Sequence, residues 1–211
     1  MILFKEINGT GIVHLDRPKA LNALNLEMAE AFLKQLNKWQ IDNNIKRVLL
    51  TGEGKAFCAG GDIKSMFLSA KVLNLKKNFL FKEYTLNYSI SQFSKPYLSI
   101  WDGIVMGGGV GLSIYGSARI ASEKSRFAMP ETGIGFFPDV GGSYFLSRIS
   151  QGVGLYLGLT GQVINAKELI TFGLATHFQY SENIEKTKLR FIRYIIKQRQ
   201  LVGDFLGIMA A

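Results

Sequence analysis

Residues 101–148 read WDGIVMGGGVGLSIYGSARIASEKSRFAMPETGIGFFPDVGGSYFLSR and hold 10 of the 23 glycines in the chain. An apolar, strand-like run enters this stretch, a triple glycine follows at 107–109, and an apolar, helix-like run comes next. Glycine lets a backbone approach a ligand closely because it has no side chain. Amides at the start of a helix also carry partial positive charge. The pattern predicts an oxyanion site made of backbone amides, with acidic side chains supplied later in the stretch.

Two carboxylates in this stretch are candidates for acid–base chemistry. Glu131 and Asp139 each follow a proline and lie among apolar residues. Partial burial there would raise the pKa of either carboxyl toward neutrality, where it is useful for proton transfer. The competing interpretation of Asp139 is an N-cap for a helix over 140–149, and that of Glu131 is a hydrogen-bond partner of a loop.

A second glycine loop, GEGKAFCAGGD at 52–62, also follows an apolar strand (47–51) and precedes a helix that starts at Ile63. Amides from two such loops can converge on one carbonyl oxygen and stabilise an enolate or a tetrahedral oxyanion. The competing interpretation is an ordinary strand-to-helix connection in which Asp62 caps the helix.

Apolar strands alternate with helix-like segments along the whole chain, which predicts an α/β fold with parallel pairing and no domain linker. The most regular helix is 26–40, where Met28, Phe32, Leu36 and Trp39 fall on one face. The two strand–loop–helix units hint at an internal repeat. The other predicted strands are 11–15, 97–101, 118–121 and 175–178, and the other predicted helices are 65–93, 109–115, 153–159, 166–172 and 182–200.

Composition limits the classes of function. The chain has 211 residues, 47% of them hydrophobic, which suits one domain with a real core. A net charge of +9 suits nucleic acid, anionic lipid or a phosphate-bearing small molecule, and equally suits solubility alone. No long run of Lys and Arg occurs, so nucleic acid is not expected as a partner. The apolar run at 97–115 contains Asp102 and five glycines, which indicates core and not a membrane span.

Several other kinds of site are not expected. One cysteine and two histidines give no basis for a disulfide or a Cys/His metal site. No G-x-S-x-G, P-loop or G-x-G-x-x-G pattern occurs. Cys58 is expected to be a small buried residue, and His14 and His177 to be core or surface histidines. The first residues lack the pattern of a signal peptide, so a cytoplasmic location, or an organelle matrix, is expected.

Three segments together resemble the enoyl-CoA hydratase/isomerase, or crotonase, superfamily. They are LDRPKALNAL at 15–24, AFCAGGDIK at 56–64 and GIVMGGGVGL at 103–112, and the resemblance runs from about residue 12 to about residue 180. It implies a crotonase-type (ClpP/crotonase) fold of repeated ββα units, with stacked sheets and surrounding helices. It also implies an acyl-CoA thioester as substrate, with coenzyme A as part of that substrate and neither a separate cofactor nor a metal.

The resemblance implies a role for each segment. The amides of Ala59 and Gly108 would form the oxyanion hole for the thioester carbonyl. The substrate would be bound by Gly60, Gly61 and Asp62. The CoA moiety would be contacted by Arg17, Lys19, Ala20 and Leu21, with Lys64 near its phosphates.

Within the superfamily, the segment at 127–148 resembles the 3-hydroxyisobutyryl-CoA hydrolases of valine degradation. Hydratases carry a glutamate where this chain has Gly111 and a second one at the position of Glu131. The hydrolase branch instead implies Glu131 and Asp139 as the catalytic pair, with Glu83 in KEYTLN contacting the substrate. Glu131 would attack the thioester or activate water. Asp139 would orient Glu131 or the water, or transfer protons.

The resemblance also bears on chain organisation. Residues 1–180 are predicted to form the acyl-CoA-binding core, and 181–211 a helical segment that is incomplete relative to the family. The family implies a homo-oligomer, a trimer or hexamer, and longer chains, so a fragment or a shortened product is expected. Two alternatives to hydrolysis stay open: a hydratase or isomerase with Glu131 as its sole acid–base group, and a non-catalytic remnant that binds acyl-CoA or RNA.

Overall fold

The computed structural model describes residues 1–68, 73–150 and 152–193. The strands are β1 (Ile2–Ile7), β2 (Thr10–Leu15), β3 (Arg47–Gly52), β4 (Ala56–Cys58), β5 (Tyr97–Trp101), β6 (Ile104–Met106), β7 (Ala118–Ala121), β8 (Arg126–Ala128), β9 (Ile164–Asn165) and β10 (His177–Phe178). The α-helices are α1 (Leu26–Ile41), α2 (Ile63–Leu68), α3 (Leu73–Ser91), α4 (Gly108–Gly111), α5 (Gly142–Leu146), α6 (Val153–Thr160), α7 (Ala166–Thr171) and α8 (Ile184–Arg193). The predicted helix end at 194–200 lies outside the described residues.

The strands form two sheets. The larger has the order β1-β2-β3-β5-β7-β10, and all of its pairs are parallel except β1 with β2. The smaller has the order β4-β6-β8-β9, and only β8 and β9 run antiparallel. The predicted α/β fold with parallel pairing is therefore confirmed.

The central strands β3 and β5 of the larger sheet are buried on both faces, which explains their continuous apolar sequences. Successive side chains of a strand point to opposite faces. Thus Leu50 joins the main core, whereas Leu49 joins a second cluster that includes Ile184 and Phe191 of α8. Helix α1 packs its predicted face inward, and Asn25 caps its first turn by accepting a hydrogen bond from the Met28 amide.

The short strands β4, β6 and β8, like β1, were not predicted. β4, β6 and β8 have three residues each, too few for an alternating pattern to register. They create the repeat nonetheless: β3-β4-α2 and β5-β6-α4 each run from the larger sheet through the smaller sheet into a helix. Because β4 and β6 are parallel neighbours, the glycine loops that follow them meet at one edge of the smaller sheet.

Helix α3 carries polar residues on its inward face. Phe79, Leu86 and Ile90 are buried on it, and so are Glu83 and Asn87. These two polar residues weaken the helical hydrophobic pattern in the sequence. Among the described residues no helix is both long and apolar enough to span a membrane.

Candidate active site

The two glycine loops touch each other where they leave the smaller sheet. A Cβ on Gly108 would lie 3.1 Å from the Gly61 amide nitrogen, and one on Gly60 would lie 3.7 Å from the Gly108 nitrogen. Gly60 and Gly107 have φ of +112° and +47°, conformations that side-chain-bearing residues rarely adopt. Glycine is therefore required both for the backbone turn and for the close approach of the loops.

The prediction that the Ala59 amide faces the substrate is wrong in this structure. That amide donates a hydrogen bond to the Leu21 carbonyl at 3.0 Å. This bond links segment 15–24 to the loop and leaves the amide unavailable to a substrate. Within the described part of the chain, the amides of Gly61 and Gly108 have no acceptor. Gly61 N faces Gly108 across the loop contact, so these two amides form one pair of free donors contributed by the two loops.

Glu131 begins a short 3₁₀ helix, Glu131–Ile134, directly after Pro130, and its side chain is buried. Its Oε1 lies 2.7 Å from the point where a Cβ on Gly107 would stand, so the carboxyl group packs against the triple glycine. Its Oε2 has no hydrogen-bond partner among the described residues. Burial, with a smaller contribution from the charge of Asp139, raises the pKa of Glu131 to about 7.

Asp139 faces the same region from the loop before α5. Its carboxylate accepts a hydrogen bond from the Tyr84 hydroxyl at 2.7 Å. The helix N-cap interpretation is wrong, because α5 starts at Gly142 and its N-cap position is held by Gly141 with no side-chain cap. Burial raises the pKa of Asp139, and the hydrogen bond from Tyr84 opposes that shift.

Glu83 is the third carboxyl group of the site. It reaches the glycine loops from α3 and is only 3% exposed. A Cβ on Gly108 would overlap its Oε1, and this atom has no hydrogen-bond partner in the described ranges. Burial first, then the charges of Asp139 and Glu131, raise the pKa of Glu83 to about 8. At neutral pH Glu83 is therefore mainly protonated, whereas Glu131 is divided between its two forms.

Position 111 has no room for a side chain. A Cβ on Gly111 would lie 2.7 Å from Val140 Cβ and 2.8 Å from Asn87 Nδ2. Distances below 3.0 Å require a neighbour to move. The space that a hydratase glutamate would occupy at position 111 is thus taken by Val140 and by the side-chain amide of Asn87.

The segment predicted to contact CoA lies beside the first glycine loop, joined to it by a bridge between Leu24 and Gly61. Arg17 is engaged within the protein: its guanidinium pairs with Asp62 at 2.9 Å. Asp62 also accepts a hydrogen bond from the Ser65 amide at 3.0 Å, so the competing interpretation of Asp62 as a helix cap is confirmed. The predicted contacts that have a free exposed surface are Lys19, Leu21 and Lys64, with Ala20 half-buried between them.

In the described ranges, the other reactive residues make no hydrogen bond to Glu83, Glu131 or Asp139. Cys58 is fully buried as expected, and burial raises the pKa of its thiol to about 12. His14 contacts Thr51 and Glu53, and His177 contacts Thr176. In the described ranges, no group of three His, Cys, Asp or Glu residues is placed to hold a metal ion.

Sequence reasoning did not single out Tyr84 or Asn87, and it chose as the first-loop donor the Ala59 amide, which is paired with the Leu21 carbonyl. A signal for Asn87 was present, since it follows Glu83 by four residues, a spacing that puts two side chains on one helix face. Tyr84 had no such signal, because only the fold brings it to Asp139, 55 residues away.

The Glu83 environment predicts a pH-dependent stability. The folded protein binds a proton at Glu83 more tightly than the unfolded chain does, so stability falls as pH rises from the ordinary value of 4.5 through about 8. Glu83→Gln keeps the shape of the protonated carboxyl and removes this loss. We expect the free energy of unfolding of the variant to exceed that of the unmodified protein by a margin that grows between about pH 5 and pH 8 and reaches at least about 1 kcal/mol at the upper end.

Thermal unfolding measured across that pH range checks this expectation. Glu185→Gln is the matched control, because Glu185 is exposed on α8, where its carboxylate pairs with Lys188 at 2.6 Å. A margin that stays constant with pH for Glu83→Gln, as for the control, would show that Glu83 is not the proton-holding group.

Known proteins similar to this chain belong to the superfamily that the sequence motifs resemble. Residues 10–208 match the Enoyl-CoA hydratase/isomerase family. The chain is 50% identical over 186 residues to the mitochondrial 3-hydroxyisobutyryl-CoA hydrolase of Danio rerio, covering 87% of this chain and 49% of that protein. It is 47% identical over 179 residues to the probable 3-hydroxyisobutyryl-CoA hydrolase 3 of Arabidopsis thaliana, covering 84% and 47%. The chain thus spans about half the length of the curated relatives it matches.

Solved structures agree on the fold. A carnitinyl-CoA dehydratase from Mycobacterium thermoresistibile superposes with a TM-score of 0.87 at 41% identity, covering 90% of this chain and 57% of that one. An enoyl-CoA hydratase from Rhodobacter sphaeroides superposes with a TM-score of 0.87 at 33% identity, covering 95% and 61%. The predicted crotonase-type fold is therefore confirmed. With its repeated ββα units, its paired glycine loops and a family match across most of its length, the chain belongs to the enoyl-CoA hydratase/isomerase family.

Proposed function

We propose that this protein hydrolyses a short 3-hydroxyacyl-CoA thioester, as the names of its relatives from Danio rerio and Arabidopsis thaliana state for those proteins. The observation that carries the proposal is the set of carboxyl groups around the two free amides. Glu131 and Glu83 pack against the triple glycine, Asp139 lies nearby, and position 111 has no acid and no room for one. A two-glutamate hydration of a double bond lacks its first glutamate in this site.

In this proposal the thioester carbonyl oxygen accepts hydrogen bonds from the Gly61 and Gly108 amides, which stabilise the negative charge that develops on it. A donor of this kind is typically worth roughly 3 kcal/mol of transition-state stabilisation. The amides are held in place by the contact between the loops, so little reorganisation accompanies the reaction. The backbone supplies the oxyanion hole and the side chains supply the acid–base groups.

Glu131 acts on the carbonyl carbon by one of two routes. As a nucleophile, its carboxylate oxygen bonds to that carbon, the carbon–sulfur bond breaks, and CoA leaves as a thiolate that takes a proton. Water then cleaves the resulting anhydride to the free acid and Glu131. As a general base, Glu131 takes a proton from water, whose oxygen bonds to the carbon directly. The tetrahedral intermediate then collapses, the carbon–sulfur bond breaks, and CoA leaves as a thiolate that takes the proton from Glu131. A pKa near 7 leaves enough carboxylate for either role at neutral pH.

Asp139 serves in this proposal as the second proton-transfer group. The Tyr84 hydroxyl donates to one oxygen of its carboxylate at 2.7 Å, and the other oxygen would then transfer the proton. The CoA moiety lies along the segment at 17–21, with the exposed Lys19 and Lys64 near its phosphates. Part of the net charge of +9 then serves a polyanionic substrate. No cofactor beyond the CoA of the substrate enters the scheme.

The biological setting is proposed in the same terms. Hydrolysis of 3-hydroxyisobutyryl-CoA would place the protein in valine degradation, in the cytoplasm or an organelle matrix. A homo-oligomer, a trimer or hexamer, is supported by exposed large apolar side chains on and before the helices that follow Asp139, which include Ile134, Phe137, Leu155 and Leu159.

The proposal is tested by following two reactions of the full chain side by side. We expect free thiol to appear from 3-hydroxyisobutyryl-CoA at least about 10-fold faster than crotonyl-CoA is hydrated, since a two-glutamate hydration lacks its first glutamate at position 111. Hydration without thiol release would favour the hydratase. The absence of both reactions, with CoA still raising the melting temperature, would favour a binding remnant. A shift produced by RNA and not by CoA would point to a nucleic-acid surface.

A further inference from the structure

Asn87 has a buried side-chain amide that makes no hydrogen bond within the described structure. It lies on the inward face of α3 and is only 5% exposed. Neither its Nδ2 nor its Oδ1 has a hydrogen-bond partner among the described residues. The large majority of buried side-chain polar atoms in folded proteins are paired. An amide in which both atoms are unpaired therefore points to a partner that arrives from outside the chain.

The position of Asn87 ties it to the candidate site. It follows Glu83 by one helical turn, and its Nδ2 lies 2.8 Å from the point where a Cβ on Gly111 would stand. It also lines a cavity of about 920 Å³ together with Tyr84, Asp139 and Val140. The amide thus lies beside the end of α4, on a residue that lines the same cavity as Asp139.

Distances along α4 indicate which part of a substrate would meet this amide. In the proposed function the Gly108 amide binds the thioester carbonyl oxygen. Gly111 follows Gly108 by three residues, which is a helical rise of about 4.5 Å. In a 3-hydroxyacyl group, three bonds of about 1.5 Å separate the carbonyl carbon from the hydroxyl oxygen, so these atoms lie at most roughly 4 Å apart. A thioester bound at Gly108 and extended along α4 brings its hydroxyl to the region of Gly111 and Asn87.

We propose that the side-chain amide of Asn87 binds the 3-hydroxyl of the acyl group and selects 3-hydroxyacyl over unsubstituted acyl thioesters. This proposal rests on the proposed hydrolase function. A hydroxyl both donates and accepts a hydrogen bond, and the primary amide offers a donor and an acceptor in return. Gly111 is needed for this arrangement, because any side chain there would displace the amide or Val140.

The test compares CoA release from 3-hydroxyisobutyryl-CoA and from isobutyryl-CoA, which lacks only the hydroxyl. A site built to hydrogen-bond a hydroxyl rejects an analogue without it strongly, so we expect the unmodified protein to prefer the hydroxylated substrate by at least about 100-fold in kcat/KM. Asn87→Leu, which has nearly the same shape and no polar atoms, is expected to reduce this preference by at least about 30-fold.

Ser91→Ala is the matched control. Ser91 lies one turn further along α3, lines the same cavity, and already donates its hydroxyl to the Tyr88 carbonyl at 2.7 Å. We expect its preference ratio to equal that of the unmodified protein. We also expect the melting temperature of Asn87→Leu to be equal or higher, because the free protein loses an unpaired buried amide. An asparagine with a purely structural role would instead show a lower melting temperature.

Each other outcome has a definite meaning. If both substrates slow by the same factor, Asn87 acts on the attacking water and the hydroxyl proposal is wrong. An unchanged ratio in Asn87→Leu, or an equal change in Ser91→Ala, also overturns it. Should Asn87→Leu fail to fold, Asn87→Ser gives the same comparison with a smaller polar group. If no thioester is hydrolysed by the unmodified chain, the hydrolase function fails, and the two ligands are then compared by the thermal shift each produces with and without the substitution.

Discussion

Glu131→Gln is expected to lower kcat for thioester hydrolysis by about 10³- to 10⁴-fold, because the amide removes the proposed nucleophile or base. The substitution keeps the shape of the side chain that packs against Gly107. CoA binding should therefore change by less than about 3-fold, since the predicted CoA contacts lie at 17–21 and Lys64. Initial rates of thiol release, together with CoA affinity by calorimetry, measure the two effects separately.

Glu185→Gln provides the same chemical change on the exposed face of α8 and should leave both kcat and CoA affinity unaltered. A Glu131→Gln protein that retains more than about one tenth of the kcat would transfer the catalytic role to another carboxyl, with Asp139 the first to be examined. If CoA affinity falls together with kcat, the substitution has disturbed the loops instead of the chemistry.

Gly108→Ala is expected to lower kcat/KM by about 10²- to 10³-fold through loss of the oxyanion donor geometry. The added methyl group would overlap Glu83 Oε1 and lie 3.1 Å from the Gly61 nitrogen. Glu83 must then move, or the loops that carry the Gly61 and Gly108 amides must separate. Because the buried Glu83 side chain has little room, we also expect a lower melting temperature.

Gly133→Ala is the matched control for this substitution. Gly133 lies in the short helix that begins at Glu131, and a Cβ there meets nothing within 4 Å. Its activity should stay within about 2-fold of the unmodified protein, because a methyl group in open space disturbs neither loop. Equal losses in both variants would show that the effect comes from general sensitivity of the region to side chains and not from the oxyanion hole.

The sequence determined the general architecture and the chemical character of the site. Alternating apolar strands and helices indicated the α/β fold, and the spacing of Met28, Phe32, Leu36 and Trp39 indicated the buried face of α1. Two strand–glycine loop–helix units indicated a backbone-lined site, and the prolines and apolar residues around Glu131 indicated a raised pKa. Each of these inferences depends on residues close together in the chain, where pattern and spacing carry the information.

Only the tertiary structure decided which groups are free and which are occupied. The carbonyl of Leu21 takes the Ala59 amide, whereas the Gly61 amide has no acceptor among the described residues. The contact between Glu83 and Gly108 places a third carboxyl group beside the loops, and Tyr84 reaches Asp139 from α3. The physical reason is that hydrogen-bond pairing, burial and pKa depend on neighbours that are distant in sequence, and no local pattern records them. The sequence indicated the two glycine loops and the carboxylates of the site, and parallel pairing of the short strands β4 and β6 brought the loops together.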